Sequence, residues 1–167
     1  HWEEASLRKE FSILDSEDQY RVIKRVVKSM GLDDTKWPPR QIQWFINKQK
    51  DECKRSKDVE VSDDYFAEKM TEVYRAYEEL CERESLVDFG ELLLRVYILL
   101  KNNEAILNHY QRRFSHILVD EFQDTNEVQY QFLRLLADGG AHFMSVGDDD
   151  QSIYGWRGAK SENINRF

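Results

Sequence analysis

Cysteine is scarce in this chain, and so is any signal for membrane insertion. Cys53 and Cys81 stand 28 positions apart, form no CxxC pair and have no histidines at zinc-ligand spacing, which excludes a disulfide framework and a zinc-finger module. No apolar run approaches the roughly 20 residues of a membrane helix. The longest run, 96–100, lies inside a helical pattern. We therefore expect a cytoplasmic protein with reduced thiols and no membrane association.

A signal peptide and an initiator methionine are also missing. The chain opens at His1, shows no charged segment followed by an apolar one, and ends at Phe167 just after a helix-start signal. Its 167 residues are enough for one good core or two small ones. We expect that the sequence is a piece of a longer protein.

An excess of positive charge, which marks a general nucleic-acid binder, is absent. The net charge is -8. Residues 116–150 hold eight acids and one base, whereas the remainder holds 24 acids and 23 bases. The chain therefore has two electrostatically different regions rather than one uniformly acidic body.

A phosphate-cradling loop is the last absence. None of the seven glycines fits the pattern G-x-x-x-x-G-K-[ST]. The nearest approach is 155–161, where Ala159 separates glycine from lysine and the first spacing is wrong. The chain itself provides no P-loop.

Helical periodicity dominates residues 1–113. Apolar residues recur every three or four positions, with typical caps and stops between the runs. The pattern predicts five helices: one from Asp15 or Ser16 to Gly31, one from Pro38-Pro39, one capped by Ser62, one behind a capping box of Asp88 and Glu91, and one from Asn102 or Asn103.

The pattern changes after Phe114. Two short β-favouring runs, HILVD and HFMSVG, flank a helical stretch from Asn126 to Ala137. Strand, helix and strand within about 30 residues predict a βαβ unit with parallel strands. The predicted fold class is mainly α with a small α/β part, in which residues 1–113 form a helical domain and residues 114–167 a second one.

Acidic residues follow both predicted strands. Asp120 and Glu121 end the first strand, and 148–150 follow the second. Ligands of open parallel sheets bind beyond the carboxyl ends of the strands, so we expect both acidic clusters at one sheet edge. Carboxylates gathered there repel one another unless a cation lies among them, which favours Mg²⁺ with a phosphate ligand.

Two motifs lie at this edge. A strand that ends in Asp-Glu resembles the Walker B element of nucleotide hydrolases, although such a dipeptide alone is common. The stretch VGDDDQSIYGWRGA carries Gln151, suited to a water or phosphate, and the aromatics Tyr154 and Trp156 beside glycines, which suits base stacking. Arg157 suits a phosphate or a carboxylate. The alternative is that Trp156 fills a core and the glycines only turn the chain.

A basic and aromatic stretch, 43–57, offers a second reading of nucleic-acid contact. Its bases are Lys48, Lys50, Lys54, Arg55 and Lys57. They suit a phosphate backbone, but Asp51 and Glu52 interrupt them, which favours a solvated helix face.

Together, DEFQDTN and VGDDDQSIYGWRGA closely resemble motifs II and III of the UvrD/Rep/PcrA helicases, a group of superfamily 1 DNA helicases. FSILDSEDQ, WPPRQ, INKQKDE and LVDFGELLLR resemble the inserted helical subdomain of that family, called 1B. The resemblance covers essentially the whole chain. It implies subdomain 1B over 1–113 and part of the RecA-like motor subdomain 1A over 114–167.

The resemblance also implies roles for single residues. Asp120 is implied as the Mg²⁺ aspartate, Glu121 as the catalytic base and Gln151 as the sensor of the ATP γ-phosphate. Tyr154 and Trp156 are implied as contacts to single-stranded DNA, and Arg157 as a link between the DNA and ATP sites. The implied parent is an ATP-driven 3′→5′ DNA helicase of DNA repair, acting at single-strand/double-strand junctions beside other repair proteins.

The sequence departs from the family in lacking the Walker A loop, so we expect the isolated chain to be inactive. Two other functions stay open. One is a DNA-binding or protein-interaction module without catalysis. The other is a metal-dependent nuclease built on Asp120, Glu121 and 148–150, against which the missing D…ExK pattern counts. A P-loop encoded upstream of His1 would separate the first two.

Overall fold

The computed structural model describes residues 1–60, 64–148, 150, 155, 159 and 163. Within these ranges the protein is mainly helical, with two small parallel sheets, as predicted for the fold class. The elements are β1 (Ser12–Leu14), α1 (Ser16–Ser29), α2 (Pro39–Asp51), α3 (Tyr65–Glu84), β2 (Leu86–Asp88), α4 (Phe89–Asn102), α5 (Glu104–Arg113), β3 (His116–Val119), α6 (Glu127–Ala137) and β4 (His142–Ser145), with 3₁₀ turns at Ser56–Asp58 and Phe122–Asp124. None of the helices in these ranges is long and apolar enough to cross a membrane.

The described chain divides into two compact units. The first comprises His1–Lys50 and Lys54–Leu92, and the second comprises Asp51–Cys53 and the described residues from Leu93 onward. The two units divide between Leu92 and Leu93, whereas the predicted domain boundary lies at 113/114. The assignment of 1–113 and 114–167 to two subdomains stays a prediction.

Helices α1, α2 and α3 form the core of the first unit. Their apolar faces meet in one cluster, which includes Ile23, Ile42, Val73 and Tyr74. The predicted ends of α1 are confirmed. Asp15 accepts a hydrogen bond from the Asp18 N–H at 2.8 Å, and Gly31 adopts φ 66° just beyond the helix, where glycine is the residue that tolerates this conformation best.

Helix α3 begins later than predicted. Its N-cap is Asp64, which accepts from the Phe66 N–H at 3.0 Å. The predicted cap, Ser62, lies outside the described residues. Both residue types suit an N-cap, so the sequence alone does not distinguish between them.

Two short strands lie within the region that the sequence predicts to be mainly helical. Strands β1 and β2 pair in parallel, with Ser12 opposite Leu86 and Leu14 opposite Asp88. Both strands lie between the helices that the sequence predicts, and neither was predicted because three-residue strands are too short to show an alternating pattern.

A buried ionic cluster lies beside this sheet, and Asp88 is its centre. Its Oδ1 accepts from the Glu91 N–H at 2.7 Å, which confirms the predicted cap of α4. Its Oδ2 accepts from Lys50 Nζ at 2.7 Å and Tyr77 Oη at 2.7 Å. Lys50 is only 1% exposed. Since buried charges need partners, this cluster ties α2, α3 and the start of α4 together.

The second unit contains the predicted βαβ element. Strands β3 and β4 pair in parallel, with His116 opposite His142 and Val119 opposite Ser145. Helix α6 connects them and begins with a capping box of Asn126 and Gln129. The core joins α4, α5 and α6 through Leu100, Ile106 and Leu136. The predicted start of α5 at Asn103 is also confirmed.

Candidate functional site

The candidate site lies where β3 and β4 end side by side. Backbone pairing continues past both strands, because the Val146 N–H donates to the Val119 carbonyl at 2.8 Å and the Phe122 N–H donates to the Val146 carbonyl at 3.0 Å. Asp120 follows β3 and Asp148 lies three residues beyond β4. The described acids of both segments therefore leave the same edge of one parallel sheet, as expected.

Asp120 presents an exposed carboxylate at the tip of β3. Its Oδ1 accepts from the Glu121 N–H at 2.9 Å. Within the described ranges, no hydrogen bond reaches its Oδ2. A carboxylate held by one oxygen, with the other directed to solvent, suits the single protein ligand that Mg²⁺ commonly has beside phosphate and water.

Glu121 has an unusual backbone conformation. Its φ of 51° and ψ of 42° place it in the left-handed region, at the start of the 3₁₀ turn Phe122–Asp124. This conformation is uncommon for residues other than glycine, and such residues cluster at functional sites. The side chain is exposed, and its Oε2 accepts from Gln123 Nε2 at 2.5 Å. The turn thus directs the carboxylate to the sheet edge and holds it there.

Gln123 connects the two strand ends, a role that the sequence pattern does not predict. The side chain is 1% exposed. While its Nε2 donates to Glu121, its Oε1 accepts from the Asp148 N–H at 3.0 Å. A β-carbon added at Gly147 would lie 2.5 Å from the same Oε1. A glutamine in a polar turn is usually exposed, so only the folded structure identifies this one as a buried bridge.

The acids do not converge on one point. Among the residues that the structure describes, no three histidine, cysteine, aspartate or glutamate side chains lie close enough to hold a metal ion. Asp148 Oδ1 instead accepts from the Asp150 N–H at 3.0 Å. Asp149 lies outside the described residues. The expectation of acids gathered around one cation is therefore not met within this part of the chain, and a magnesium ion there would need phosphate and water oxygens as further ligands.

Asp124 carries an unsatisfied atom next to the site. Its Oδ1 is buried, and none of the described residues donates a hydrogen bond to it. A buried acceptor without a donor is unfavourable by about 1–3 kcal/mol. Asp124 is one of the eight acids of residues 116–150, and the sequence predicts no role for it.

Most of the second motif lies outside the described residues. This applies to Gln151, Tyr154, Trp156 and Arg157, so their predicted roles stay predictions. Of the neighbouring positions, Gly155 is exposed and has open space around it. Asn163 is fully buried, and its Nδ2 donates to the Thr125 carbonyl at 3.1 Å.

The sequence offers two roles for the basic stretch 43–57, contact with a phosphate backbone or a solvated helix face. Neither role describes all of its bases. Lys50 is buried against Asp88 and Glu91, and Arg55 forms a two-pronged ion pair with Glu91. Burial alone would lower the pKa of Lys50, but the attraction of Asp88 and Glu91 outweighs it and raises the pKa. These two bases stabilise the first unit, and their charges are paired with the acids Asp88 and Glu91. Lys48, in contrast, is exposed and lies over the ring of Trp44.

Comparison with known proteins gives the family. The whole chain, residues 1–167, matches the model of the UvrD/REP helicase N-terminal domain. It is 54% identical over 167 residues to DNA helicase II of Escherichia coli (strain K12), which is 100% of this chain and 23% of that protein. DNA helicase II of Haemophilus influenzae is 50% identical over 167 residues, again 23% of its length.

A more distant relative gives the same picture. ATP-dependent DNA helicase PcrA of Leuconostoc citreum is 39% identical over 166 residues, which is 99% of this chain and 22% of that protein. The chain thus spans less than a quarter of the length of these relatives. The match over every residue places the chain in the UvrD/REP helicase N-terminal domain family.

Proposed function

We propose that the chain is part of an ATP-dependent DNA helicase that moves 3′ to 5′ along DNA and acts in DNA repair in the cytoplasm. The observation that carries the proposal is the pair of adjacent, exposed carboxylates, Asp120 and Glu121, beyond the end of β3 in a chain of this family. The relatives' names, DNA helicase II and ATP-dependent DNA helicase PcrA, support DNA as the substrate and ATP as the energy source.

The two carboxylates have different proposed roles. Asp120 would hold Mg²⁺ through its solvent-directed Oδ2, while its Oδ1 stays bonded to the Glu121 N–H. Glu121 would orient the attacking water and accept its proton, as the acid after the Walker B aspartate does in nucleotide hydrolysis. Mg²⁺ and ATP, when bound, supply the charge neutralisation and the bond that is cleaved. Gln123 would keep the Glu121 carboxylate at the sheet edge through the hydrogen bond from its Nε2.

The loop beyond β4 would contact both ATP and single-stranded DNA. By resemblance to the family, Gln151 would contact the γ-phosphate, and Tyr154 and Trp156 would contact single-stranded DNA, with Trp156 stacked on a base. Arg157 would link the two sites.

The exposed face of the second sheet supports a larger motor domain around it. Leu118 and Met144, which lie opposite each other in register, are 75% and 57% exposed, and Val146 is 52% exposed. Parallel sheets are normally covered on both faces. We therefore propose that β3 and β4 belong to a RecA-like subdomain 1A that other segments of the full protein complete, and that 1–113 is subdomain 1B. Single-strand/double-strand DNA junctions and DNA repair proteins are the proposed partners.

Strand separation by the full-length protein tests this function. We expect the wild type to unwind a duplex with a 3′ single-stranded tail when ATP and Mg²⁺ are present. Glu121→Gln should bind ATP but leave the duplex intact. Glu127→Gln is the matched control, since Glu127 undergoes the same chemical change on α6, where its Oε1 accepts from Gln131. An unwinding rate of Glu121→Gln equal to that of the control would contradict the proposal, as would a wild type without DNA-stimulated hydrolysis.

The missing P-loop favours a second description of the chain taken alone. Because no glycine fits G-x-x-x-x-G-K-[ST], the isolated polypeptide would act as a DNA-binding or protein-interaction module without catalysis. Titration with labelled single-stranded DNA tests this alternative directly.

A further inference from the structure

The Gln123 side chain lies between two groups, one of which needs a hydrogen-bond donor and the other an acceptor. The Glu121 carboxylate can only accept hydrogen bonds, and the Asp148 backbone N–H can only donate one. The amide meets both needs in one orientation, with Nε2 at 2.5 Å from Glu121 Oε2 and Oε1 at 3.0 Å from the Asp148 nitrogen. A carboxylate at this position could bond only the Asp148 N–H, and a lysine could bond only Glu121. An aliphatic side chain could bond neither.

Burial makes this bridge specific. Gln123 is 1% exposed, so water does not replace either partner. The backbone of Gly147 approaches the amide so closely that an added β-carbon would lie 2.5 Å from Oε1 and 3.3 Å from the Gln123 nitrogen. The space around the amide therefore depends on glycine at 147, and residues 146–148 pack directly against the turn after β3.

We propose that Gln123 is a positioning residue that transmits the state of the loop after β4 to the Glu121 carboxylate. This inference rests on the proposed function, in which that loop continues into the DNA-contacting residues Tyr154 and Trp156. DNA bound through Tyr154 and Trp156 would, in this proposal, displace the chain at Asp148, and the amide would carry that displacement to Glu121. Gln123 would thus couple DNA binding to ATP hydrolysis without touching either ligand.

Two substitutions in the full-length protein separate this role from simple packing. Gln123→Leu keeps a side chain of similar size but removes both hydrogen bonds. Gln123→Glu keeps the shape and the acceptor for the Asp148 N–H, but it places a second carboxylate against Glu121. Repulsion between the two carboxylates should displace Glu121, so the ratio of DNA-stimulated to basal hydrolysis should fall although the Asp148 N–H keeps its acceptor. Gln131→Leu on α6 is the control, because Gln131 donates to Glu127 on the same helix and, among the described residues, has no contact with Glu121 or Asp148.

Steady-state ATP hydrolysis with and without saturating single-stranded DNA is the main measurement. We expect Gln123→Leu to lower the DNA-stimulated kcat by about 10- to 100-fold. This is the usual range for residues that orient a functional side chain by a hydrogen bond without contacting the ligand. Hydrolysis without DNA should fall less, and KM for ATP should stay within about 3-fold, since Gln123 contacts no nucleotide in this proposal. The Gln131→Leu control should keep the wild-type ratio.

A second readout does not depend on activity. Loss of the acceptor for the Asp148 N–H should speed hydrogen exchange in a peptide that contains residues 145–150. An unchanged ratio of stimulated to basal hydrolysis in a folded Gln123→Leu protein, with unchanged exchange, would overturn the inference and leave the proposed function standing. If Gln123→Leu fails to fold, a wild-type ratio of stimulated to basal hydrolysis in Gln123→Glu overturns it instead. A wild type without DNA-stimulated hydrolysis would overturn both proposals.

Discussion

Replacing Lys50 by methionine would remove the positive charge that contacts Asp88 directly in the first unit. Methionine has a similar length and no branch, so the change is one of charge more than of shape. Lys50 Nζ lies 2.7 Å from Asp88 Oδ2 and 3.3 Å from Glu91 Oε2, and all three side chains are almost completely buried. The variant would leave two carboxylates close together in the interior.

The loss of stability in Lys50→Met depends on the hydrogen bonds that Asp88 and Glu91 retain without the lysine. Removal of one partner from a buried ion pair is usually destabilising by about 3–5 kcal/mol. Asp88 retains hydrogen bonds from Tyr77, Gln19 and the Glu91 N–H, and Glu91 retains Arg55. We therefore expect the lower end, about 3 kcal/mol, which corresponds to a drop in Tm of about 6–12 °C for a chain of this size.

Urea denaturation followed by circular dichroism measures this loss. Lys48→Met is the control, because Lys48 lies on the same helix but is exposed, and it should change the free energy of unfolding by no more than about 0.5 kcal/mol. Adding Asp88→Asn to Lys50→Met should recover about 1–2 kcal/mol, since replacing both members of a buried pair is far better tolerated than replacing one. Equal stability of Lys50→Met and Lys48→Met would refute the reasoning.

The pH dependence of the same comparison has a definite sign. Burial lowers the pKa of Lys50, but attraction by Asp88 and Glu91 raises it further than burial lowers it. A group whose pKa is raised on folding stabilises the protein fully below its unfolded pKa, about 10.4 for lysine. This contribution is lost as the pH rises through the folded pKa. The stability difference between wild type and Lys50→Met should therefore be constant near neutral pH and shrink only in strongly alkaline solution.

Three further predictions concern the second unit and the full-length protein. Trp156→Ala in the full-length protein should weaken single-stranded DNA binding by about 1–3 kcal/mol with little dependence on base sequence; a large drop in melting temperature with unchanged affinity would instead indicate a core residue. Gly139→Ala should destabilise the chain by about 1–3 kcal/mol in urea denaturation, because the new β-carbon would lie 2.5 Å from Gln111 Cβ. The isolated chain should release no phosphate from ATP above background, and magnesium-dependent turnover that Glu121→Gln abolishes would contradict this.

Local patterns predicted the elements that local interactions form. The three- and four-residue spacing of α1, its Asp15 cap and the glycine after it are all properties of consecutive residues, and the structure reproduces them. The βαβ element is equally local, since β3, α6 and β4 follow one another within His116–Ser145. For the same reason the common edge of Asp120 and Asp148 was predictable: parallel strands bring their carboxyl ends together.

Contacts between distant residues were not predictable. β1 pairs with β2 across more than 70 positions, and each strand has only three residues. Lys50 was grouped with exposed bases because its neighbours in sequence are charged, whereas its partner Asp88 is 38 positions away. Burial of a lysine depends on such a partner, and one sequence does not reveal which acid supplies it.

Gln123 shows the same limit inside the candidate site. The acids of the motif DEFQDTN could be proposed as a metal ligand and a base from their residue type alone. The amide between them gains its role only when the β4 strand brings the Asp148 N–H within 3.0 Å, 25 positions further along. Residues that react can be proposed from a motif, but residues that hold them in place require the fold.

The most direct test of the account compares Asp120→Asn and Glu121→Gln in the full-length protein, with ATP binding and hydrolysis measured across a range of Mg²⁺ concentrations. If Asp120 holds the metal, its variant should need more Mg²⁺ for both processes. If Glu121 is the base, its variant should bind ATP with the wild-type Mg²⁺ requirement while hydrolysis falls by about 10²-fold or more. Wild-type hydrolysis in both variants at every Mg²⁺ concentration would contradict the assignment of the β3 tip as the ATPase site.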